Sequence, residues 1–286
     1  MYSKTTLFAD DTSLLLHNKN ISILKKQAEL DLQNVYDWLI SNKLSLSWDK
    51  TNFVVFHSPR KKIDNLEELK VYAFRIKRVK YVKYLGMYID EKLNWNEHVK
   101  SLCCTLSKNF HMFYSLRDIL TPFLKRQLYF TMVYSRIIYG IVVYGACRQT
   151  LLKKVQILQN KLLKVLHKLP YRFDTNKLHS DLDLLKVKDI YDYQISKFVP
   201  ASIYETCISQ FHGYYTKVDN IHQIGTRQQG DLYISRPNNK FGEASLKYCG
   251  SLLWNSLDCD LQRTRDPDVF KKDLRKLHID RYKNDL

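Results

Sequence analysis

Residues 5–17 read TTLFADDTSLLLH, in which two adjacent carboxylates, Asp10 and Asp11, lie between two short apolar runs. This pattern predicts a strand, a tight turn and a second strand, with the acids at the tip of the hairpin. A carboxylate pair on a rigid hairpin can hold divalent metal ions for phosphoryl transfer. Most Asp-Asp pairs are solvated turn residues, because Asp tolerates turn geometry and bonds its own backbone. The pair alone therefore leaves metal chemistry and an ordinary turn both open.

The segments after the hairpin alternate between helix and strand patterns. Apolar residues recur at three- and four-residue spacing over residues 21–42, which predicts a helix. Strands are predicted at 44–47 and 53–56, and a further strand that contains a glycine is predicted at 83–90. Asn94, with a glutamate three residues later, has the pattern of an N-cap and predicts the start of another helix.

Several blocks along the chain occur in a recognisable order. They are Phe8-Ala9-Asp10-Asp11-Thr12; Trp38-Leu39; Asn42-Lys43-Leu44-Ser45-Leu46 with Lys50-Thr51 and Phe56; Tyr84-Leu85-Gly86 with Asp90, Leu93, Trp95 and His98; Leu128-Tyr129, Tyr139-Gly140 and Tyr144-Gly145; Gln156, Gln159-Asn160 and Leu166; and Gly242, Ser245, Tyr248, Gly250 and Leu253-Trp254-Asn255-Ser256-Leu257, followed by Phe270-Lys271-Lys272. This order resembles the reverse transcriptase of non-LTR retrotransposons, the LINE-type elements of the jockey and CR1 kind. The resemblance runs over nearly the whole chain, although the family more usually has tryptophan at position 144.

The resemblance implies an α+β fold, with a partial right-hand polymerase palm followed by an all-helical thumb and C-terminal region. The expected segments are the C-terminal part of the palm at 1–95, thumb-like helices at 96–170 and a helical C-terminal region at 171–286. The last of these contains a polar loop near 212–242. Helix starts are expected at Thr121-Pro122 and Asp266-Pro267, and a helix end at Leu169-Pro170.

The resemblance also implies roles for individual residues. Asp10 matches the metal-ligand acid of the catalytic hairpin and Asp11 its neighbour, so both are expected to be catalytic and to hold Mg²⁺, with Mn²⁺ as an alternative ion. Lys50 lies in the segment behind the incoming-nucleotide site. Tyr84-Leu85-Gly86 matches the loop that holds the primer end. The expected partners are an RNA template with a DNA primer, or an RNA–DNA hybrid, and dNTP, with no membrane and no other small-molecule cofactor.

Two-metal phosphoryl transfer needs carboxylates from two elements, which clamp ions about 4 Å apart. In the family the fingers and the first catalytic aspartate precede the Asp-Asp hairpin, whereas here only nine residues precede Asp10. We therefore expect a truncated polymerase that is inactive alone. The alternatives are a residual nucleic-acid-binding module without catalysis and an inert remnant.

The formal net charge of +17 favours a polyanionic partner, most commonly nucleic acid. Two groups of basic residues are candidates for contacts with phosphates. The strand cluster, which is interleaved with aromatic residues, consists of Arg75, Lys77, Arg78, Lys80 and Lys83. The helix cluster, opposite the apolar stripe of a helix predicted at 151–169, consists of Lys154, Lys161, Lys164 and Lys168. A strand or helix with a merely solvated charged face would have the same pattern.

The six cysteines have no CxxC spacing, so no zinc or redox motif is expected. Cys207 and His212 are interpreted as core or surface residues. The most apolar stretch, residues 137–146, is shorter than a membrane-spanning helix and is predicted to be a buried thumb helix in which Gly140 and Gly145 permit close helix contact. No signal peptide is recognisable, and the family implies an intracellular protein of the cytoplasm and nucleus.

Overall fold

A computed structural model describes residues 2–58, 61, 63, 66–221 and 231–284. The chain divides into two compact units, Met1–His98 and Val99–Leu286. The elements of the first unit are β1 (Lys4–Phe8), β2 (Asp11–Leu15), α1 (Ile21–Ser41), β3 (Glu68–Val71), β4 (Phe74–Lys77), β5 (Tyr81–Tyr84) and β6 (Met87–Asp90). The remaining helices are α2 (Asn96–Ser107), α3 (Asn109–Leu116), α4 (Pro122–Tyr129), α5 (Ser135–Ile138), α6 (Ile141–Tyr144), α7 (Gln149–Leu166), α8 (Thr175–Asp181), α9 (Val187–Ile203), α10 (Lys240–Glu243), α11 (Leu246–Asn255), α12 (Cys259–Arg263) and α13 (Pro267–Asn284).

The strands of the first unit form three antiparallel hairpins, β1–β2, β3–β4 and β5–β6. The mixed helix and strand content agrees with the predicted α+β class. The assignment of segments to a palm, a thumb and a C-terminal region stays a prediction.

Helix α1 packs on the apolar core of the first unit. Asn20 caps its first turn, because the side-chain oxygen accepts hydrogen bonds from the backbone N–H groups of Ser22 and Ile23. The helix packs against β3, where the Lys70 N–H donates to Glu29 Oε1 at 2.9 Å. The buried apolar residues of this core are Ala28, Val55, Leu66, Leu69, Val71 and Ile76.

Three strand predictions are wrong. Residues 83–90 form two strands, β5 and β6, because Leu85 and Gly86 make a turn between them. Residues 44–47 have no strand partner among the residues that the structure describes. At 53–56 only Phe53 pairs with another segment, in a single bridge to Arg78. The Phe53 N–H donates to the Lys77 carbonyl oxygen, and the Phe53 carbonyl oxygen accepts from the Val79 N–H. The pairing does not continue beyond these two hydrogen bonds among the described residues.

The predicted N-cap at Asn94 is also wrong, since α2 begins at Asn96. The carboxylate of Asp90 instead accepts hydrogen bonds from the backbone N–H groups of Asn94 and Trp95, at 3.0 and 2.8 Å. The helix starts expected at Pro122 and Pro267 are confirmed, with Thr121 as the N-cap of α4. Helix α7 ends at Leu166, before the expected break at Leu169-Pro170.

Helix α9 is the centre of the second unit and packs against α5, α6, α7, α11 and α13. A π-helical segment, Phe130–Tyr134, joins α4 to α5. The buried helix predicted at 137–146 is broken, because Gly140 takes a left-handed conformation (φ +68°) between α5 and α6. Among the described residues, no helix has both the length and the apolarity needed to span a membrane.

A second apolar core joins α9, α11 and α13 to the segment before α10. Its buried residues are Val199, Tyr215, Leu232, Trp254, Phe270 and Leu274. Lys217 and Leu232 form an isolated antiparallel bridge, which joins the two flanks of the polar loop expected near 212–242. Residues 222–230 of that loop lie outside the described residues.

Candidate functional site

The Asp10–Asp11 hairpin is formed as predicted. Phe8 pairs with Asp11, so Ala9 and Asp10 make a two-residue turn and Asp11 begins β2. Ala9 has φ +50°, in the left-handed region that a tight hairpin turn requires. Both carboxylates are exposed at the end of the hairpin.

A hydrogen bond joins this hairpin to the tip of the β5–β6 hairpin. Ser13 Oγ and Tyr84 OH are 3.2 Å apart. Ser13 lies two residues after Asp11, and alternate residues of a strand face the same side about 7 Å apart. The face of β2 that carries Asp11 is therefore the face that meets Tyr84. The structure thus places the predicted primer-end loop against the strand that begins with Asp11.

Tyr84-Leu85-Gly86 forms a tight hairpin tip. Leu85 and Gly86 have φ of +45° and +80°, and a turn of the I′ type needs a positive φ at both central positions. Glycine adopts this conformation without strain, whereas leucine does not.

Asp31 on α1 is a functional candidate that sequence reasoning missed. Its side chain is fully buried, and its carboxylate accepts hydrogen bonds from the Tyr2 N–H at 2.8 Å and the Ser3 N–H at 2.6 Å. These bonds tie the backbone just before β1 to α1 and so help to position the Asp hairpin. The available signal was an acidic residue three positions after Ala28 on the buried side of the helix.

The donor chemistry of Asp10 and Asp11 suits Mg²⁺, which prefers carboxylate oxygens. Two carboxylates from one hairpin supply only part of a two-metal site. Within the described residues there is no group of three or more His, Cys, Asp or Glu side chains able to hold a metal ion. The hairpin therefore supplies an incomplete set of ligands for two metal ions. Lys50 is exposed in a turn, where its N–H donates to Ser47 O.

The strand cluster divides into paired and unpaired cations. Arg78 forms a half-buried ion pair with Glu91 at 2.9 Å, and Arg75 an exposed pair with Glu68 at 3.3 Å. Lys77, Lys80 and Lys83 are exposed, and no ion pair involves them in the part of the chain that the structure describes.

The aromatic residues interleaved with the strand cluster have partners inside the unit. Phe74 stacks on Trp48 with ring centroids 4.0 Å apart. Tyr72 OH donates to both Asp37 carboxylate oxygens at 2.9 Å, and the hydrogen bond to Asp37 raises the pKa of Tyr72. These contacts favour a structural role for Tyr72 and Phe74.

The helix cluster is divided in the same way. Lys154 and Lys161 are exposed on α7. Lys168 pairs with Asp118, and this contact lowers the pKa of the Asp118 carboxyl. Lys164 Nζ donates to the carbonyl oxygens of Tyr171 and Phe173, so it holds a loop as well as carrying charge.

His212 and Cys207 do not form a metal pair. His212 Nε2 lies 2.8 Å from the carbonyl oxygen of Cys207, not from its sulfur. The interpretation of these residues as structural agrees with this contact.

Three known proteins are similar to the chain. The RNA-directed DNA polymerase from mobile element jockey of Drosophila funebris is 24% identical over 185 residues, which are 64% of this chain and 20% of that protein. The corresponding jockey polymerase of Drosophila melanogaster has the same identity and coverage. The probable RNA-directed DNA polymerase from transposon BS of Drosophila melanogaster is 26% identical over 119 residues, 41% of this chain and 13% of that protein.

The chain is similar to RNA-directed DNA polymerases of non-LTR mobile elements. Its match covers about a fifth or less of the length of these relatives. No protein-family model matches the chain. No solved structure matches it.

Proposed function

We propose that this chain is part of an RNA-directed DNA polymerase of a non-LTR retrotransposon. The observation that carries the proposal is its similarity to three such polymerases over 41% to 64% of its length. The activity is templated nucleotidyl transfer onto a DNA primer, with an RNA template and dNTP as substrates.

In this function Asp10 and Asp11 hold divalent metal ions, and the β5–β6 tip at Tyr84-Leu85-Gly86 holds the primer end. The hydrogen bond between Ser13 Oγ and Tyr84 OH supports this assignment, because it sets the primer-end loop against the face of β2 that carries Asp11. Asp10 and Asp11 would hold Mg²⁺ together with a carboxylate from another element, and the ion would stabilise the charge of the reacting phosphate. Lys50 and the exposed lysines of both clusters would contact nucleotide or backbone phosphates.

The chain alone does not polymerise in this proposal, because both of its candidate metal acids come from a single hairpin. Primer extension by the purified chain tests this, with an RNA template, a DNA primer, dNTP and either Mg²⁺ or Mn²⁺. Binding of the RNA–DNA hybrid is measured in parallel. We expect the hybrid to bind and the primer to remain unextended.

Templated extension that is lost in Asp10→Asn would overturn the inactivity and support the hairpin as catalytic. Extension that survives in Asp10→Asn would overturn the assigned role of Asp10. Failure to bind the hybrid would contradict the proposed function itself.

A second candidate is a nucleic-acid-binding module without chemistry, which the net charge of +17 favours. It predicts hybrid binding whose affinity is the same with and without divalent ions, and which Asp10→Asn leaves unchanged.

A further inference from the structure

The sequence from Ile119 to Phe173 contains ten Lys and Arg residues and no Asp or Glu. The whole chain has a net charge of +17, so this segment carries more than half of the excess. It includes helices α4 to α7 and the start of the loop after α7. A segment with cations and no acids attracts polyanions.

An open groove lies between α7, which belongs to this segment, and α3, which precedes it. Its volume is about 470 Å³, within the range typical of pockets for small organic groups. Apolar side chains form much of its lining: Phe110, Ile157, Val165 and Leu169. A flat apolar group therefore fits it chemically.

One edge of the groove presents an aromatic ring on a fixed backbone. Tyr171 lines the groove and is 81% exposed. Its carbonyl oxygen accepts a hydrogen bond from Lys164 Nζ at 2.8 Å, and the Phe173 carbonyl oxygen accepts another at 2.6 Å. Lys164 is thus a positioning residue for Tyr171. These bonds fix the backbone that carries the ring and leave the ring itself exposed to a ligand.

The charge around the groove is positive. Lys161 is exposed and lines the groove. Tyr114 lies one helical turn after Phe110 on α3, and the Arg117 guanidinium is 3.7 Å from the centroid of its ring. Asp118, which follows α3, is occupied by ion pairs with Arg117 and Lys168.

We propose that the groove between α3 and α7 binds single-stranded nucleic acid, with one unpaired base between Tyr171 and the apolar lining and a phosphate at Lys161. This inference rests on the proposed function and adds a single-strand site to it. Bases in a duplex are stacked on their neighbours and cannot enter such a groove. An unpaired base can, and stacking on an aromatic ring tolerates any base sequence.

The test measures the fluorescence anisotropy of labelled oligo(dT) and oligo(rU) when they bind to the full chain. Each oligonucleotide is about 12 nucleotides long, which matches the size of known single-strand sites. An RNA–DNA hybrid of the same length is measured in parallel. We expect Tyr171→Ala to weaken binding of both single strands about tenfold, and Tyr171→Phe to retain it because the ring remains. Hybrid binding should be unchanged in both variants. Tyr204→Ala, at another exposed tyrosine, is the matched control.

A second variant tests the phosphate contact. Lys161→Gln should reduce the slope of log affinity against log salt by about 0.7 for a single strand. Polyglutamate should compete poorly, because it offers charge without bases.

Wild-type-like binding of single strands by Tyr171→Ala would overturn the proposal, as would equal weakening by Tyr204→Ala or effective competition by polyglutamate. If the hybrid binds while Tyr171→Ala changes nothing, the groove assignment fails and the proposed function stands. If neither the wild type nor the variants bind the hybrid, but Tyr171→Ala weakens binding of single strands, the groove assignment stands and the proposed function fails.

Discussion

Gly145 shows how one residue allows two helices of the second unit to meet. A Cβ atom at this position would lie 2.1 Å from Tyr191 Cδ2 and 2.5 Å from the Ile141 carbonyl oxygen. We predict that Gly145→Ala lowers the free energy of unfolding by about 2–3 kcal/mol, because the α6–α9 contact is overpacked. Urea denaturation of the full chain measures the change.

Gly213→Ala is the matched control for that substitution. Its Cβ would meet no atom within 4 Å, and only its φ of +64° opposes a side chain. We expect Gly213→Ala to lower the free energy of unfolding by about 1 kcal/mol. A loss for Gly145→Ala that does not exceed this value would contradict the steric argument.

At the scale of elements, a buried polar network joins α7, α8 and the start of α9. Gln156 Oε1 accepts a hydrogen bond from the Val187 N–H at 2.7 Å, and Gln159 Nε2 donates to Leu185 O at 2.9 Å. His179 Nδ1 donates to Leu184 O at 3.0 Å. Gln156 and Gln159, which carried part of the family resemblance, thus hold helices together.

This network makes the stability of the second unit depend on pH. Burial, assisted by the charge of Lys186, lowers the pKa of His179 to about 4. An unfolded histidine has a pKa of about 6.5, so the unfolded state takes up the proton first. The contribution of neutral His179 to the free energy of unfolding is therefore fully present above about pH 6.5 and is lost as the pH falls towards 4. The loss is on the order of 3 kcal/mol.

We predict that His179→Gln flattens the loss of stability between pH 6.5 and pH 5, when both proteins are compared with their own stability at pH 8. Urea denaturation across this range measures the difference. If the free energy of unfolding falls equally with pH in the wild type and in His179→Gln, His179 is not a neutral buried residue.

At the scale of the whole molecule, the lysines differ in whether a carboxylate pairs with them. Lys80 and Lys83 have no ion-pair partner among the described residues, whereas Lys271 and Lys283 pair with Asp268 and Asp280. Replacing Lys80 and Lys83 should reduce the slope of log affinity against log salt concentration, measured for the hybrid, by about 2, since each phosphate contact contributes about 0.9. Replacing Lys271 and Lys283 should leave this slope unchanged.

The comparison uses Lys80→Gln with Lys83→Gln against Lys271→Gln with Lys283→Gln. Both double variants lose the same formal charge, so net charge is matched. Equal effects on the slope would mean that only the net charge acts, and would remove the strand cluster as a specific contact surface.

Local patterns in the sequence determined the Asp10–Asp11 hairpin, helix α1, and the starts of α4 and α13. Each depends on neighbours within a few residues, such as turn acids, helical spacing and prolines at first helical positions. The resemblance identifies Tyr84-Leu85-Gly86 as a loop, but the sequence does not predict its hairpin form, because a glycine within a strand pattern does not show where the chain reverses.

Only the tertiary structure decided what lies beside these elements. The bond between Ser13 and Tyr84, the contacts of Asp31 with the backbone before β1, and the pair of Arg78 with Glu91 all join residues from different elements. A period or a spacing describes one element at a time, whereas each of these contacts requires two elements to be packed first. The sequence by itself therefore determined which residues carry charge and where the Asp10–Asp11 turn forms, and packing determined which charges remain available to a ligand.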